Sequence, residues 1–139
     1  MAVVYDALLA GLTRVLLAGP GLQLAVVFGS TARGQRHARS DVDIGIIPAD
    51  ASLSLGDELG LQTELERACG VAVDLVRLDR APLAVRWRVA RDGMPLVGAH
   101  TGAWARFAAR AASEHADIAP ALRVAGRRFQ QRLAAGDTE

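Results

Sequence analysis

Two aspartates, Asp41 and Asp43, stand two residues apart at the start of an apolar run that ends at Ile47. Side chains at positions i and i+2 of a β-strand leave the same face, so we expect the two carboxylates to lie side by side. Two negative charges on one face repel unless a cation lies between them. Mg²⁺ prefers hard oxygen ligands and keeps positions open for substrate phosphates, so the pair predicts a magnesium site. A pair of solvated aspartates beside a turn is the alternative interpretation.

A second candidate feature, Gly29-Ser30, lies upstream, directly after the apolar run from Leu22 to Phe28. Glycine lets the backbone approach a ligand closely. Ser30 is a plausible N-cap for a short helix over Thr31 to Gln35, and the free N–H groups at a helix N-terminus attract anions. The pattern predicts a phosphate-binding turn, although a simple N-cap uses the same geometry.

Several polar residues follow this turn, and three of them are arginines. We take Arg33 as the candidate for a phosphate contact, with an ordinary surface position as the alternative. Arg36 and Arg39 lie within reach of the same region but are expected to be solvated. His37 is interpreted as a solvated loop histidine.

A third carboxylate, Asp74, lies in the strand-like run Val71 to Leu78, where a charge is out of place unless it has a partner or a function. If this strand pairs beside the strand of Asp41 and Asp43, all three carboxylates converge. Two metal ions about 4 Å apart could then hold both the attacking and the leaving oxygen. Alternatively, Asp74 is a charge on an edge strand that faces water. Asp79 is a competing candidate for the third carboxylate, but we interpret it as a residue at the start of a helix.

The elements that must position these residues are predicted from hydrophobic periodicity and from Gly and Pro punctuation. They are, in chain order, a helix over Val3–Ala18, strands over Leu22–Phe28 and Val42–Ile47, a helix from Ser54 to Gly70, a strand over Val71–Leu78, a helix from Pro82 to Gly93, a strand over Met94–Val97 and two helices after Thr101, the second restarting at Asp117 and Pro120. On the helix after Ser54, one face is predicted to carry Leu55, Leu59, Leu65 and Cys69. The order indicates an α/β (α+β) fold, a small mixed sheet flanked by helices, with helices grouped at the C-terminus.

The chain has 139 residues, which predicts one domain with a core over about 1–98 and a helical extension over about 101–135. The extension carries an apolar stripe that could pack on the domain itself or on another protein. Its other side carries Arg123, Arg127, Arg128 and Arg132, interpreted as a solvated face or a partner surface.

Composition excludes several classes of function. All 16 basic residues are arginine, so no P-loop lysine, Schiff-base lysine or lysine general base is available. A net charge of +1 argues against direct nucleic-acid binding. The single cysteine, Cys69, excludes an internal disulfide and fits a reducing cytoplasm. No uncharged apolar run of about 18 residues predicts a membrane span, and the N-terminal residues lack the basic region of a signal peptide.

The complete pattern resembles a known family. Gly29-Ser30-Thr31-Ala32-Arg33-Gly34 followed by Ser40-Asp41-Val42-Asp43 is similar to the signature of the DNA polymerase β-type nucleotidyltransferase superfamily. In its fuller form the pattern resembles the minimal nucleotidyltransferases (MNT), commonly the antitoxin partners of HEPN-domain toxins, and Val73-Asp74-Leu75-Val76 also fits. The resemblance covers roughly Leu22 to Gly98. The stretch Gln35–Arg39 departs from the family's usual placement of Arg and Pro.

The resemblance implies a polymerase β-like fold and an enzyme with defined roles for these residues. Asp41 and Asp43 would bind two Mg²⁺ ions and the triphosphate of ATP. Asp74 would bind the catalytic metal and help deprotonate the attacking hydroxyl, and Gly29 and Ser30 would hold the β- and γ-phosphates. The reaction would transfer AMP from ATP to a hydroxyl and release pyrophosphate.

In the HEPN-paired branch of the family the acceptor is a toxin tyrosine, and its modification inactivates the toxin. That implies a cognate HEPN toxin as partner in a hetero-oligomer. Two alternatives stay open: a binding antitoxin that acts by occlusion, and a small-molecule nucleotidyltransferase of the aminoglycoside-modifying type. Such enzymes usually carry a larger substrate domain, for which the residues after the core leave little room.

Overall fold

The computed structural model describes residues 2–32 and 41–136, and all statements about its structure concern those residues. Its elements are α1 (Ala2–Ala18), β1 (Leu22–Phe28), β2 (Val42–Pro48), α2 (Leu55–Cys69), β3 (Val73–Arg77), α3 (Leu83–Asp92), β4 (Met94–Val97) and α4 (Ala103–Ala134). None of the helices in this part of the chain has the length and apolar character needed to cross a bilayer.

The sheet is mixed, with strand order β3-β2-β1-β4. β1 is antiparallel to both β2 and β4, whereas β2 and β3 are parallel and joined through α2. A parallel pair needs such a crossover connection. The expectation of a small mixed sheet flanked by helices is confirmed.

Each face of the sheet is covered by its own pair of helices. On one face α1 and α2 pack their leucines, such as Leu12 and Leu65, against Val27 and Ile44. On the other face α3 and α4 cover Val26 and its neighbours, with Val89 of α3 fully buried there.

The alternation of the strands places the acidic residues on one face. Val42 and Ile44 of β2 are buried in the α1/α2 core, so Asp43 between them points to the α3/α4 face. Val73 and Leu75 of β3 pack on the same α1/α2 core, so Asp74 also points to the α3/α4 face.

The start and end of α2 follow the predicted local signals. The Ser54 hydroxyl accepts a hydrogen bond from the backbone N–H of Asp57 at 3.1 Å, and Gly70 ends the helix with φ 74°. This is the capping arrangement that Ser and Gly favour at the two helix ends.

The predicted apolar face of α2 is wrong in two of its four members. Leu55 and Leu59 are 68% and 53% exposed, whereas Leu61 and Leu65 are buried. Six residues at 100° each place Leu59 roughly 120° around the helix from Leu65, so the two cannot share one face. The buried stripe is formed by Leu61 and Leu65, which lie four residues apart and pack against α1.

The C-terminal region forms one helix of 32 residues, not the two predicted, and Pro120 lies inside it. Proline lacks the N–H donor to the carbonyl four residues earlier and its ring crowds that carbonyl, which costs about 3 kcal/mol inside a helix. The alanine- and arginine-rich sequence on both sides has high helix propensity and keeps the helix continuous.

Candidate active site

The strands of Asp43 and Asp74 pair directly, as the sequence hypothesis required. β2 and β3 are parallel neighbours, and Asp43 and Asp74 are register partners across them. Asp41 lies one residue before β2 and is exposed. The structure thus brings the three predicted carboxylates to one end of the sheet.

The Gly29 turn closes over this end of the sheet. Phe28, the last residue of β1, is the register partner of Asp43, so the turn begins beside that carboxylate. Gly29 has φ 72°, a left-handed conformation that glycine adopts without strain. A Cβ atom at Gly29 would collide with Oδ2 of Asp43. Glycine is therefore required here for both conformation and space.

Ser30 and Thr31 continue the turn. Ser30 is half-buried, and Thr31 and Ala32 lie in a turn, so the predicted helix does not begin at Thr31. The Thr31 side chain is fully buried, and its Oγ1 has no hydrogen-bond partner among the described residues. Arg33, together with Arg36, His37 and Arg39, lies outside the described residues, as does the rest of the predicted helix to Gln35.

The electrostatics of Asp43 reflect its position between like charges. Burial raises the pKa of the Asp43 carboxyl above its ordinary value, and the neighbouring Asp74 and Asp41 raise it further. Arg88 of α3 acts in the opposite direction on this pKa. The site thus holds negative charge that is only partly compensated by the protein.

Arg88 is a candidate functional residue that sequence reasoning missed. Its guanidinium carbon lies 5.8 Å from the centroid of the Phe28 ring, a cation–π distance. Val89, the next residue, is fully buried and fixes the orientation of α3. Only the packing of α3 on β1 reveals this arginine, because nothing in its local sequence separates it from the other arginines.

The carboxylates at this end of the sheet suit a magnesium ion that takes its other oxygen ligands from the substrate. Within residues 2–32 and 41–136, no three His, Cys, Asp or Glu side chains are placed as a ready metal-binding group. Mg²⁺, however, is commonly held by one or two carboxylates together with substrate phosphates, without an all-protein cage. Asp43, with Asp74 and Asp41 near enough to raise its pKa, offers carboxylate oxygens of the kind that such a shared site uses.

Asp79 is not part of this constellation. Both of its carboxylate oxygens accept hydrogen bonds from Arg77, at 2.8 and 2.7 Å. The Arg77 hydrogen bonds lower the pKa of Asp79. Asp79 follows the far end of β3, so it neither competes for the third position nor begins α3, whose N-cap is Pro82.

Comparison with known families agrees with this geometry. Residues 12–101, more than half of the chain, match the family model described as "Polymerase beta, Nucleotidyltransferase". The chain belongs to the polymerase β nucleotidyltransferase family. The predicted family of this chain and its predicted fold are therefore confirmed.

A curated relative of this nucleotidyltransferase is the protein adenylyltransferase MntA of Shewanella oneidensis, 35% identical over 79 residues. The alignment covers 57% of this chain and 56% of the relative. The match thus spans little more than half the length of that relative.

Solved structures extend the likeness to most of the chain. A crystal structure of a toxin–antitoxin with AMP-PNP contains a chain 27% identical to this nucleotidyltransferase, with a TM-score of 0.73, covering 88% of this chain and 98% of that one. A second, of a tri-AMPylated Shewanella oneidensis HEPN toxin in complex with MNT antitoxin, matches at 24% identity and a TM-score of 0.70, covering 91% and 98%. That second likeness concerns the fold alone. The predicted resemblance to MNT antitoxins is confirmed.

Proposed function

We propose that this nucleotidyltransferase transfers AMP from ATP to a tyrosine hydroxyl of a cognate HEPN toxin and thereby neutralises it. The observation that carries the proposal is the side-by-side register of Asp43 and Asp74 beside the Gly29 turn. The name of the MntA relative, a protein adenylyltransferase, and the toxin–antitoxin structure with AMP-PNP support the same reaction and partner.

Each carboxylate has a role in this proposal. Asp41 and Asp43 would hold two Mg²⁺ ions together with the triphosphate, and Asp74 would bind the catalytic ion. When bound, magnesium would neutralise the charge of the triphosphate and stabilise the charge that develops on the attacking and leaving oxygens. Burial, and then the neighbouring Asp74 and Asp41, raise the pKa of Asp43, and a bound cation would favour its ionised form.

The transfer step can be written with all atoms accounted for. The tyrosine oxygen attacks the α-phosphorus of ATP and forms a new O–P bond. The bond from the α-phosphorus to the bridging oxygen of the β-phosphate breaks, and pyrophosphate leaves. The hydroxyl proton passes toward the carboxylate of Asp74, which lies next to Asp43 in the sheet.

The phosphates also need donors. Gly29 and Ser30 supply backbone N–H groups in the turn that follows β1, with Gly29 in its left-handed conformation. Arg33 stays a proposed phosphate contact. Arg88 is proposed as a further one, because its guanidinium stands above Phe28 and interacts with the charge of Asp43. Guanidinium groups suit phosphate oxygens through paired N–H donors.

The outer half of α4 is the proposed contact with the toxin. Its apolar residues Ile118, Leu122, Phe129 and Leu133 recur at helical spacing and are 41%, 55%, 56% and 52% exposed. The stripe does not pack on the described part of the domain, which leaves a partner protein as its occupant.

The exposed stripe also favours the second candidate, an antitoxin that acts by occlusion alone. Two variants separate the candidates in a toxin-neutralisation assay. Asp41→Asn/Asp43→Asn should abolish neutralisation if AMP transfer is required and retain it if occlusion suffices. Leu122→Asp/Phe129→Asp should weaken neutralisation under both candidates, because each requires contact with the toxin.

A further inference from the structure

A cavity of about 640 Å³ lies at the end of the sheet away from the carboxylates. Its walls include Leu24 and Ile47, which are register partners near the start of β1 and the end of β2. Asp43 and Ile47 are four residues apart on β2 and share a face, about 14 Å apart at the rise of an extended strand. The cavity is therefore separate from the candidate active site.

The helix α3 lies between the two sites. Val89 packs against Val26 in the middle of the face, so the two regions do not merge above the sheet. Arg86 lines the cavity, whereas Arg88, two residues further along α3 and about 160° away around the helix, interacts with Asp43.

Four arginines and one acid, Asp79, line the cavity. The Asp79 carboxylate is already bound by Arg77, and Arg80 also helps to lower its pKa, so the net charge of the lining is positive.

Arg86 and Arg110 both bind Glu114, at 2.7 and 3.1 Å. By contrast, the side chains of Arg80 and Arg106 form no ion pair or hydrogen bond within the described residues, although both line the cavity.

The start of α4 adds to the positive potential at this point. Ala103, the first residue of the helix, also lines the cavity. The N–H of Ala103 donates to Thr101 Oγ1 at 3.4 Å and that of Trp104 to the Gly98 carbonyl at 3.2 Å, so the helix adds its dipole here and the arginine side chains supply the free donors. The guanidinium of Arg106 lies over Gly102, so that a Cβ atom there would stand 2.8 Å from Nη1. Helix N-termini and arginine guanidinium groups both favour a phosphate anion.

The remainder of the wall is apolar. Leu24, Ile47, Leu78 and Phe107 line the cavity beside the arginines. Its volume falls within the range of small-molecule sites, about 300 to 1,000 Å³. An anion-binding end next to an apolar wall with an aromatic ring fits a ligand that has a charged head and a planar or apolar body.

We propose that this cavity is a second ligand site, which binds the phosphate monoester of a mononucleotide between Arg80 and Arg106 with the base toward Phe107. This site does not depend on the activity proposed above. It gives the protein a means of sensing a nucleotide at the end of the sheet opposite its carboxylates.

The test uses the full chain with ¹⁵N-labelled arginine and follows the Nε–Hε signals during titration with AMP in the presence of a chelator. AMP should shift the signals of Arg80 and Arg106 saturably. Inorganic phosphate should shift the same signals with weaker affinity, and adenosine should leave them unchanged. The Arg88 signal reports any binding at the carboxylate end in the same experiment.

Variants make the assignment specific. Arg106→Gln should raise the AMP dissociation constant at least about tenfold, the loss expected for a hydrogen bond to a charged group. Arg123→Gln, on an exposed position of the same helix, is the matched control and should change nothing. Phe107→Leu should weaken AMP while leaving phosphate binding unchanged.

Three results would each overturn the proposal. One is a titration in which AMP shifts only the Arg88 signal or none. Another is adenosine binding as tightly as AMP, which would remove the role of the arginines. The third is an equal effect of Arg106→Gln and Arg123→Gln, with circular dichroism showing both variants folded.

Discussion

Asp43 and Asp74 stand directly opposite each other on adjacent parallel strands, and the pKa of Asp43 is raised by burial and by the neighbouring carboxylates. Two acids in this position are unfavourable for the fold. Their arrangement is understandable when a cation completes the site, because magnesium would turn the repulsion into shared coordination.

A stability measurement can detect this repulsion without any activity. The folded state binds a proton at Asp43 more readily than the unfolded state, so the free energy of unfolding falls as the pH rises through the interval from the ordinary pKa of 3.8 to the raised value. In chelator at about pH 7, Asp43→Asn should therefore unfold at higher urea concentration than wild type. The gain should disappear at about pH 3, where Asp43 is protonated in both states.

Asp50→Asn is the control of opposite sign. Hydrogen bonds from Ser52 lower the pKa of Asp50, so the carboxylate stabilises the fold above the unfolded pKa, and this contribution is lost as the pH falls through the lowered value. This variant should be less stable than wild type near neutral pH.

Adding Mg²⁺ should stabilise wild type and leave Asp43→Asn less affected. A less stable Asp43→Asn in chelator would contradict the proposed repulsion.

Gly29→Ala tests the contact between the turn and the acid. The left-handed φ of 72° should cost about 1 to 2 kcal/mol in the free energy of unfolding once a Cβ is present. The collision with Oδ2 of Asp43 should also displace that carboxylate and reduce AMP transfer severely.

The matched control is Gly60→Ala on α2. A Cβ at Gly60 has nothing within 4 Å and lies in a helix, so this change should raise the free energy of unfolding by about 1 kcal/mol. Urea unfolding of both variants checks the difference in sign. Full activity in Gly29→Ala would show that the turn does not position Asp43.

Arg88→Gln tests the arginine that the packing of α3 brings to the site. If the guanidinium contacts a phosphate, kcat/KM for ATP should fall about 10- to 100-fold, since a hydrogen bond to a charged group is worth roughly 1.5 to 3 kcal/mol. The residue is exposed, so the urea midpoint should change little. Arg91→Gln, another exposed position on α3, should leave kcat/KM near the wild-type value, and equal losses in the two variants would contradict the assignment.

The apolar stripe of α4 can be tested by binding. Leu122→Asp/Phe129→Asp should weaken binding to the cognate toxin by at least about 100-fold, because it places two charges in a buried contact. Both side chains are more than half exposed in the isolated chain, so its thermal unfolding should be almost unchanged. Arg127→Gln, also on the outer half of α4, should change binding much less. Unchanged toxin affinity in the double variant would remove α4 from the interface.

Much of the site could be predicted because its acidic residues stand in runs that are otherwise apolar and strand-like. Asp74 is a charge inside a β-branched run, and Asp41 and Asp43 flank the first residue of a strand that is otherwise apolar. Such exceptions are expected at functional positions. Gly29 was predictable for a related reason, as a glycine placed directly after a buried strand.

Other features depend on packing that no local pattern contains. Arg88 is one of 16 arginines, and only the placement of Val89 in the core turns it toward Phe28. On α2, the spacing of the leucines left two stripes available, and contact with α1 decides that Leu61 is buried and Leu59 exposed. At Pro120 the local stop signal was overridden by strong helix formers on both sides.

The most direct test of the central claim is transfer of label from α-phosphate-labelled ATP to the cognate HEPN toxin in the presence of Mg²⁺. Wild type should label a tyrosine of the toxin, and Asp74→Asn should reduce the rate by at least about 100-fold while remaining folded. Chelation of Mg²⁺ should abolish labelling. Wild-type rates in Asp74→Asn, or no transfer to the toxin by the wild-type protein, would contradict the account.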